Sequence, residues 1–499
     1  MFLAYDIKNG IEYAKLCTSK RDGDIVNKEY TNLGRVIDKK RGIYKNRERG
    51  VFGFDVKTGV YSEVAADIIP PKSNLKKEKL ILDFGDSYFL NLFIKSKELN
   101  EAINAIGYGN PDTLYAMIHY YALTSTANCH AESWFEGNYA KILYPKANLT
   151  SQRISSFLSA IGDEHSQRKF FKAYFKFLEH SKTDGENVLI DSSGLPNSIH
   201  FPLTAISNHN GEINNEVRLI YIVQQNTGLP LYFRYCPGNV IDTMTLIRCL
   251  EELKAQSVKV KFAILDAGYY TDENIRELFV NKISFITRLK ENRKLYKELV
   301  REHSDTLESK ENLVEYNGRY VYLKCVPVQI EEHSAYAYIG LDIDRKSSET
   351  GKTFRQAKDK KMTTNQVYDA INKQGIFILI ASRRISTLKL LPLYYTRQQI
   401  EQIFDIGKNY AEMLPLRVQN ERTFRGHLLM TFIVTVIIKM LQDALLKTAF
   451  NPISVFLNLR NQKCKVFDDR IVTSEPFKKV NDCYKLFNFK CPAAFPLYD

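Results

Sequence analysis

The stretch YYTRQQIEQIFDIGKNY (394–410) decides how the rest of the chain is read. Taken as one helix at ~100° per residue, it places Tyr394, Arg397, Glu401 and Lys408 within an arc of about 60°. A carboxylate is thereby set among a guanidinium, an ammonium and a phenol. An Arg–Glu pair at i, i+4 is also ordinary decoration of a solvated face, worth ~0.3–0.5 kcal/mol. The stretch becomes a site only if the fold brings further carboxylates to that face.

Two upstream acids qualify. The apolar run ENVLI leads into Asp191, and VKFAIL (260–265) leads into Asp266, followed by SSG and AGYY respectively. Strand ends beside small-residue turns can present a side chain to a ligand. For either Asp alone, a turn-initiating Asx-turn is the plain alternative. Asp83, in LILDFGD, has similar surroundings but reads as a helix start upstream of the α/β region, and Asp342 and Asp344 read as solvent-facing. VRLIYIVQQ (217–225) and LPLYFRYC (229–236) form a hairpin across NTG. Helices are expected over about 241–256 and 271–281, and a strand at ISFITRL (283–289). Three strands in a row, then alternating helices and strands, describe a mixed α/β sheet with helical cover. Residues 295–375 interrupt that rhythm with antiparallel strands and a polar stretch, before GIFILIAS (375–382) resumes it.

The whole chain sets the bounds. At 499 residues, 44% hydrophobic, it has material for several domains. Lys plus Arg number 70 against 57 Asp plus Glu, a formal net charge of +13. That balance points to a polyanionic partner without choosing between nucleic acid and an acidic membrane surface. The longest apolar run, LLMTFIVTVII (428–438), is too short to span a bilayer and reads as a buried helix. Eight cysteines without a C-x-x-C argue against a zinc ribbon or a disulfide framework, and the opening MFLAYDIKNGIEYAK lacks the features of a signal peptide. A reducing cytoplasm is the expected setting.

The expected organisation is a basic, strand-rich domain over 1–75, a linker at 68–79, and a helical domain over 80–182. The first half of an α/β core then covers 185–294, a strand-rich insertion 295–375, the second half of the core 376–449, and a basic tail 450–499. In the first domain RVIDKKRGIYKNRER (35–49) carries seven basic residues against two acids, a candidate phosphate-binding patch or a solvated loop. LTSQRISSFLSAIG (149–162) fits either a helix-turn-helix or a plain helical bundle.

Three carboxylates brought together repel one another unless cations lie between them. Oxygen-only ligation suits Mg²⁺ or Mn²⁺. Two such ions ~3.5–4 Å apart activate a water or hydroxyl and stabilise the leaving oxygen of a phosphodiester. Beside them Arg397 would fork onto a phosphate, Lys408 would supply a point charge and Tyr394 a hydrogen bond.

With these residues in place, the chain resembles the DDE-type insertion-sequence transposases that carry the signature Y-x2-R-x3-E-x6-K. Tyr394, Arg397, Glu401 and Lys408 match it at every position. The resemblance extends over LDAGYYTDENI around Asp266, CPGNVIDTMTL (236–246) and PLRV…RGHLLMTF (415–432), and more loosely over LGRV and LDFGDSYFL (82–90). It implies an RNase H-like catalytic core with a strand-rich insertion before the third carboxylate. Asp191, Asp266 and Glu401 would be the catalytic, metal-binding triad, holding two Mg²⁺ (or Mn²⁺) ions. It further implies nicking at the ends of the element, then attack of the freed 3′-hydroxyl on target DNA. The partners would be double-stranded terminal inverted repeats and target DNA, the assembly a homodimer, and the location cytoplasmic and nucleoid-associated. Two departures stand out. DSSG lacks the Thr that often follows the first Asp by two residues, and Asp184 precedes the strand. The lone Trp134 is in the helical region, which leaves Tyr316, Tyr320, Tyr322, Tyr336 or Tyr338 as aromatic substitutes for a base-holding Trp. His427 either contacts the site or is structural. A domesticated DNA-binding relative and a stand-alone metal-dependent nuclease are the rival readings.

Overall fold

The computed structural model describes every residue except 9–10, 23–24, 65–79, 181–185, 198–200, 202, 210–211, 241–243, 361–362 and 497–499. The expected linker at 68–79 and Asp184 lie outside the described residues. The chain divides into two units, Met1–Glu78 and Lys79–Asp499.

The first unit is an antiparallel meander of β1 (Phe2–Lys8), β2 (Ile11–Asp22), β3 (Ile25–Asp38), β4 (Ile43–Asn46), β5 (Gly50–Phe54) and β6 (Tyr61–Glu63), paired in chain order. Its small core holds Ala14, Leu16, Leu33, Tyr44, Phe52 and Phe54. Part of the basic run is neutralised within the unit: Lys39 pairs with Glu12 and Arg41 with Asp38. Arg35 and Lys45 stand opposite one another on β3 and β4, both exposed.

The second unit opens with β7 (Leu80–Asp83) and a helical layer that includes α1 (Gly85–Ser96), α2 (Pro111–Leu123), α3 (Ser151–Ile161) and α4 (Glu164–His180). It is a mixed α/β structure. The main sheet is built from β8 (Asn187–Pro196), β9 (Ala205–His209), β10 (Glu212–Gln224), β11 (Pro230–Pro237), β12 (Phe262–Leu265), β13 (Ser284–Arg288), β14 (Leu313–Tyr316), β15 (Arg319–Ile330), β16 (His333–Asp342) and β17 (Ile376–Ala381). The strands lie in the order β11-β10-β8-β12-β13-β17-β16-β15-β14, with β9 on β10. β12 and β13 run parallel to β8, and the remaining pairs are antiparallel. Every residue of β12 (FAIL) and β17 (IFILIA) is buried, as continuous apolar strands covered on both faces must be.

The strands of 313–342 do not form a sheet of their own. β17 pairs with β13 through Ile286–Arg288 and with β16 through Tyr336–Leu341. A buried strand needs partners on both edges, so β14–β16 prolong the main sheet. Asp342, expected at the surface, is buried and paired with Arg319 at 3.2 Å. The C-terminal 50 residues are likewise no loose tail. They contribute β18 (Lys463–Val466), β19 (Arg470–Thr473) and β20 (Ala494–Pro496), which add to β7 as a second sheet.

Five more helices matter for the site: α5 (Ile343–Lys360), α6 (Thr387–Tyr395), α7 (Gln398–Asn409), α8 (Glu421–Leu445) and α9 (Pro452–Arg460). α8 is long and apolar enough by composition to cross a membrane, but 78% of its apolar window is buried inside this unit. It contains the run 428–438, all of it buried, and so acts as the central core helix. Gly426 lets α8 meet α3 backbone to backbone: a Cβ there would sit 1.9 Å from the Leu158 carbonyl oxygen. The segment 149–162 is thus packed against the core through Ile154, Phe157, Leu158 and Ile161.

Candidate active site

Strand register assembles the first half of the site. Ile190 on β8 faces Leu265 on β12, and Leu265 faces Thr287 on β13. One residue further, the same register sets Asp191, Asp266 and Arg288 side by side across three parallel strands, whose spacing is ~4.8 Å. Asp266 follows the last residue of its strand, as expected. Asp191 does not end its strand: β8 continues through Ser192–Pro196 because the long β10 keeps pairing with it, Tyr221 opposite Asp191 and Arg218 opposite Gly194. The expected SSG turn is therefore extended backbone.

The second half comes from 394–410, which is not one helix. α6 ends at Tyr395, where the Thr396 hydroxyl donates to the Leu393 carbonyl at 2.7 Å, and α7 restarts with Arg397 as its N-cap. Tyr394 is thus on a different helix from Glu401 and Lys408, and the 60° arc of a continuous helix does not apply to it. α7 is anchored by Ile400, Ile403, Phe404 and Ile406, with Phe404 5.1 Å from Tyr221 of β10. That packing sets its first turn beside Asp191, midway along β8, and the end of β12.

Arg397 ties the halves together. Its Nη1 donates to Asp191 Oδ2 at 3.0 Å and its Nη2 to Glu401 Oε1 at 3.3 Å, and Nη1 also forms an ion pair with Asp266 Oδ1 at 3.1 Å. Glu401 takes part in the i, i+4 pair, but as one of three carboxylates on one guanidinium. Burial works against the Arg397 charge, yet Asp266 and Asp191 outweigh it and hold the guanidinium above its ordinary pKa. Among the described residues no three Asp, Glu, His or Cys side chains stand spaced around a common metal position. The Arg397 guanidinium lies among the three carboxylates, and Arg288 lines the same cavity.

Lys408, two helical turns on, donates to Ser193 Oγ at 2.7 Å and to the Gly194 carbonyl at 3.0 Å. Burial lowers its pKa, while buried Glu216 works to raise it. Gly194 is needed here because a Cβ would lie 1.9 Å from Glu216 Oε2. Gly194→Ala is expected to push Glu216 aside and cost ~1–3 kcal/mol, as overpacking does. A thermal melt checks this: the midpoint should fall by a few degrees, and an unchanged midpoint would contradict the packing described.

A cavity of 130 Å³ opens beside the carboxylates, lined by Asp266, Arg397, Glu401, Tyr394, Tyr395 and Arg288 among others. Burial, the main cause, raises Tyr394 to about 12, so its hydroxyl stays protonated and able to donate. Arg345, on α5, also lines this cavity but is held by Glu349 at 2.6 Å. Arg288 is the residue that sequence reasoning missed. It makes no ion pair among the described residues, and it ends β13 level with Asp266. The available signal was that both close apolar runs destined for the same end of one sheet. Of the five tyrosines considered as aromatic substitutes, Tyr316 reaches this region: it stacks on Tyr395 with centroids 5.1 Å apart. Trp134 packs against Tyr120 instead. His427 is buried, bonded to the Tyr121 hydroxyl at 2.9 Å, and lowered by burial to about 4, a neutral structural histidine.

No curated protein sequence matches the chain. Among solved structures, the chain is similar to the cryo-EM structure of a piggyBac transposase synaptic complex with hairpin DNA. The match has 10% identity, covers 75% of this chain and 79% of that one, and has a TM-score of 0.36. Residues 188–437, half of the chain, match the transposase DDE domain. This interval includes Asp191, Asp266, Glu401 and the helix pair that carries Arg397, and the chain accordingly belongs to the DDE-domain transposase family.

Proposed function

We propose that this chain is an insertion-sequence transposase that nicks DNA at the ends of its element and joins the freed 3′-hydroxyls to target DNA. The observation that carries the reading is the convergence of Asp191, Asp266 and Glu401 on the single guanidinium of Arg397. An RNase H-like core is supported by the strand order: antiparallel β11, β10 and β8, then β12 and β13 parallel to β8.

The oxygen-only donor set and its excess of negative charge suit Mg²⁺ or Mn²⁺, with Asp191, Asp266 and Glu401 as the residues that would hold two ions. When bound, such ions supply Lewis-acid activation of the attacking oxygen and stabilisation of the leaving one. The protein's own part is positioning. Arg397, relieved of the carboxylates, is placed to fork onto a phosphate, and Arg288 offers a second, uncommitted guanidinium at the same cavity. Tyr394 donates a hydrogen bond from the cavity wall, and Lys408 places a charge two turns along α7. The same reading makes the basic first unit a DNA-binding element, the working assembly a homodimer on paired terminal repeats, and the location the nucleoid.

The test uses purified protein, a duplex carrying the inverted repeat that flanks the gene, and a supercoiled plasmid as target. Nicked ends and joined products are expected with Mg²⁺ and neither with EDTA. Cutting without joining would leave a stand-alone nuclease. Binding without cutting under Mg²⁺ or Mn²⁺ would leave a DNA-binding relative.

A further inference from the structure

A second feature, outside the carboxylate cluster, continues from Lys408. This side chain borders two openings: a cleft of 640 Å³ beside Pro196, Phe404 and Pro415, and a groove of 720 Å³ between the helical layer and the 409–420 segment. Lys408 is also bonded to Ser193 and Gly194, two and three residues beyond Asp191 on the same strand. Lys408 thus links the groove to the strand that carries Asp191. Lys408 lies seven positions beyond Glu401 on α7, about 10 Å along the helix axis. That equals about three base steps at ~3.4 Å each.

The walls of this groove are chemically specific. One wall offers Asn409, Arg417, Gln419 and Asn420; the other offers Asn128, Ser151 and Ser155 from the helical layer. Amides, hydroxyls and guanidiniums of this kind contact phosphate and sugar oxygens in protein–DNA interfaces. Arg417 and Gln419 are exposed and make no side-chain hydrogen bond or ion pair among the described residues. The acid on its wall is Glu412, which burial raises to about 7 against the opposing influence of Arg417, so its repulsion of a polyanion is weakened near neutrality. His427, at the groove floor, is neutral and bonded to Tyr121.

We infer that this groove is the track for the substrate DNA backbone about three nucleotides from the reacting phosphate, with Arg417 as its phosphate-gripping residue. The inference rests on the transposase reading and adds to it a surface that begins at Lys408 and lies outside the cavity at Asp266. Its lining is mixed: Ile154, Leu158, Leu414, Pro415 and Val418 give an apolar floor, while Lys408 and Arg417 supply the cations and the amides and hydroxyls the hydrogen-bonding groups.

The experiment measures binding of the inverted-repeat duplex by the full chain in EDTA, so that no cutting occurs, as a function of salt. Arg417→Ala is compared with wild type, and Gln419→Ala serves as a second variant that removes no charge. Arg417→Ala should weaken binding about five- to ten-fold and lower the slope of log affinity against log salt by about one. Gln419→Ala should weaken binding by a smaller factor without changing that slope. Photo-crosslinking with 4-thiothymidine placed along the end should label residues 409–420 from about the third position. Wild-type affinity and slope in Arg417→Ala, with wild type still cutting in Mg²⁺, would overturn the groove and leave the transposase reading intact. No DNA binding by wild type would overturn both.

Discussion

Glu401→Gln is expected to bind DNA ends as wild type does and to cut them on the order of 10³-fold more slowly, or not at all. The side chain is 60% exposed and the amide has nearly the same shape, so folding should be untouched. The amide oxygen can still accept from Arg397 Nη2, which preserves the local geometry. What changes is charge: one of three carboxylates stops attracting cations. A 10³-fold loss corresponds to about 4 kcal/mol of transition-state stabilisation. Binding is read by gel shift in EDTA and cutting by denaturing gel in Mg²⁺. A variant that cuts like wild type would reduce the Arg397–Glu401 pair to surface decoration.

Arg397→Ala should have two separable effects. Without metal, the variant leaves Asp191, Asp266 and Glu401 facing one another without their shared ion-pair partner, and Arg288 at the same cavity as the nearest remaining cation. Removing one partner of a fully buried pair costs ~3–5 kcal/mol; with Asp266 and Glu401 partly exposed, about 1–3 kcal/mol is expected here. The unfolding midpoint in EDTA should therefore fall by several degrees. Mg²⁺ should restore most of that loss, and should raise the midpoint more in the variant than in wild type, where the guanidinium competes for the same carboxylates. Cutting should nevertheless drop by about 10²-fold or more, because the phosphate loses its forked partner. An Arg397→Ala protein that melts like wild type in EDTA, and gains nothing more from Mg²⁺, would show that the three carboxylates do not depend on this residue.

Part of this site is open to a reader of the sequence because it is encoded locally. Apolar runs mark the strands that lead to Asp191 and Asp266, and the spacing of Arg397 and Glu401 is one helical turn. The rest depends on pairing between distant segments. SSG after Asp191 has turn composition, yet it stays extended because β10, some 25 residues later, has the length to hold it. Arg288 becomes part of the site only through a register shared by three strands. The break at Thr396 follows from a hydroxyl-to-carbonyl bond that competes with helix continuation, which the helical spacing of the flanking residues conceals. Among the C-terminal strands β18 pairs with β7, and Lys463 bonds Asp83, across a separation that no local pattern announces.

The central claim is that Asp191, Asp266 and Glu401 act as one cation-holding centre. Iron-directed cleavage of the protein chain tests it most directly: Fe²⁺ replaces Mg²⁺, and ascorbate with peroxide generates radicals at the bound ion. The account predicts chain scission near residues 191, 266 and 401 together, suppressed by excess Mg²⁺ and lost in Asp266→Asn. Scission at other places only, or at one of the three without the others, would contradict it.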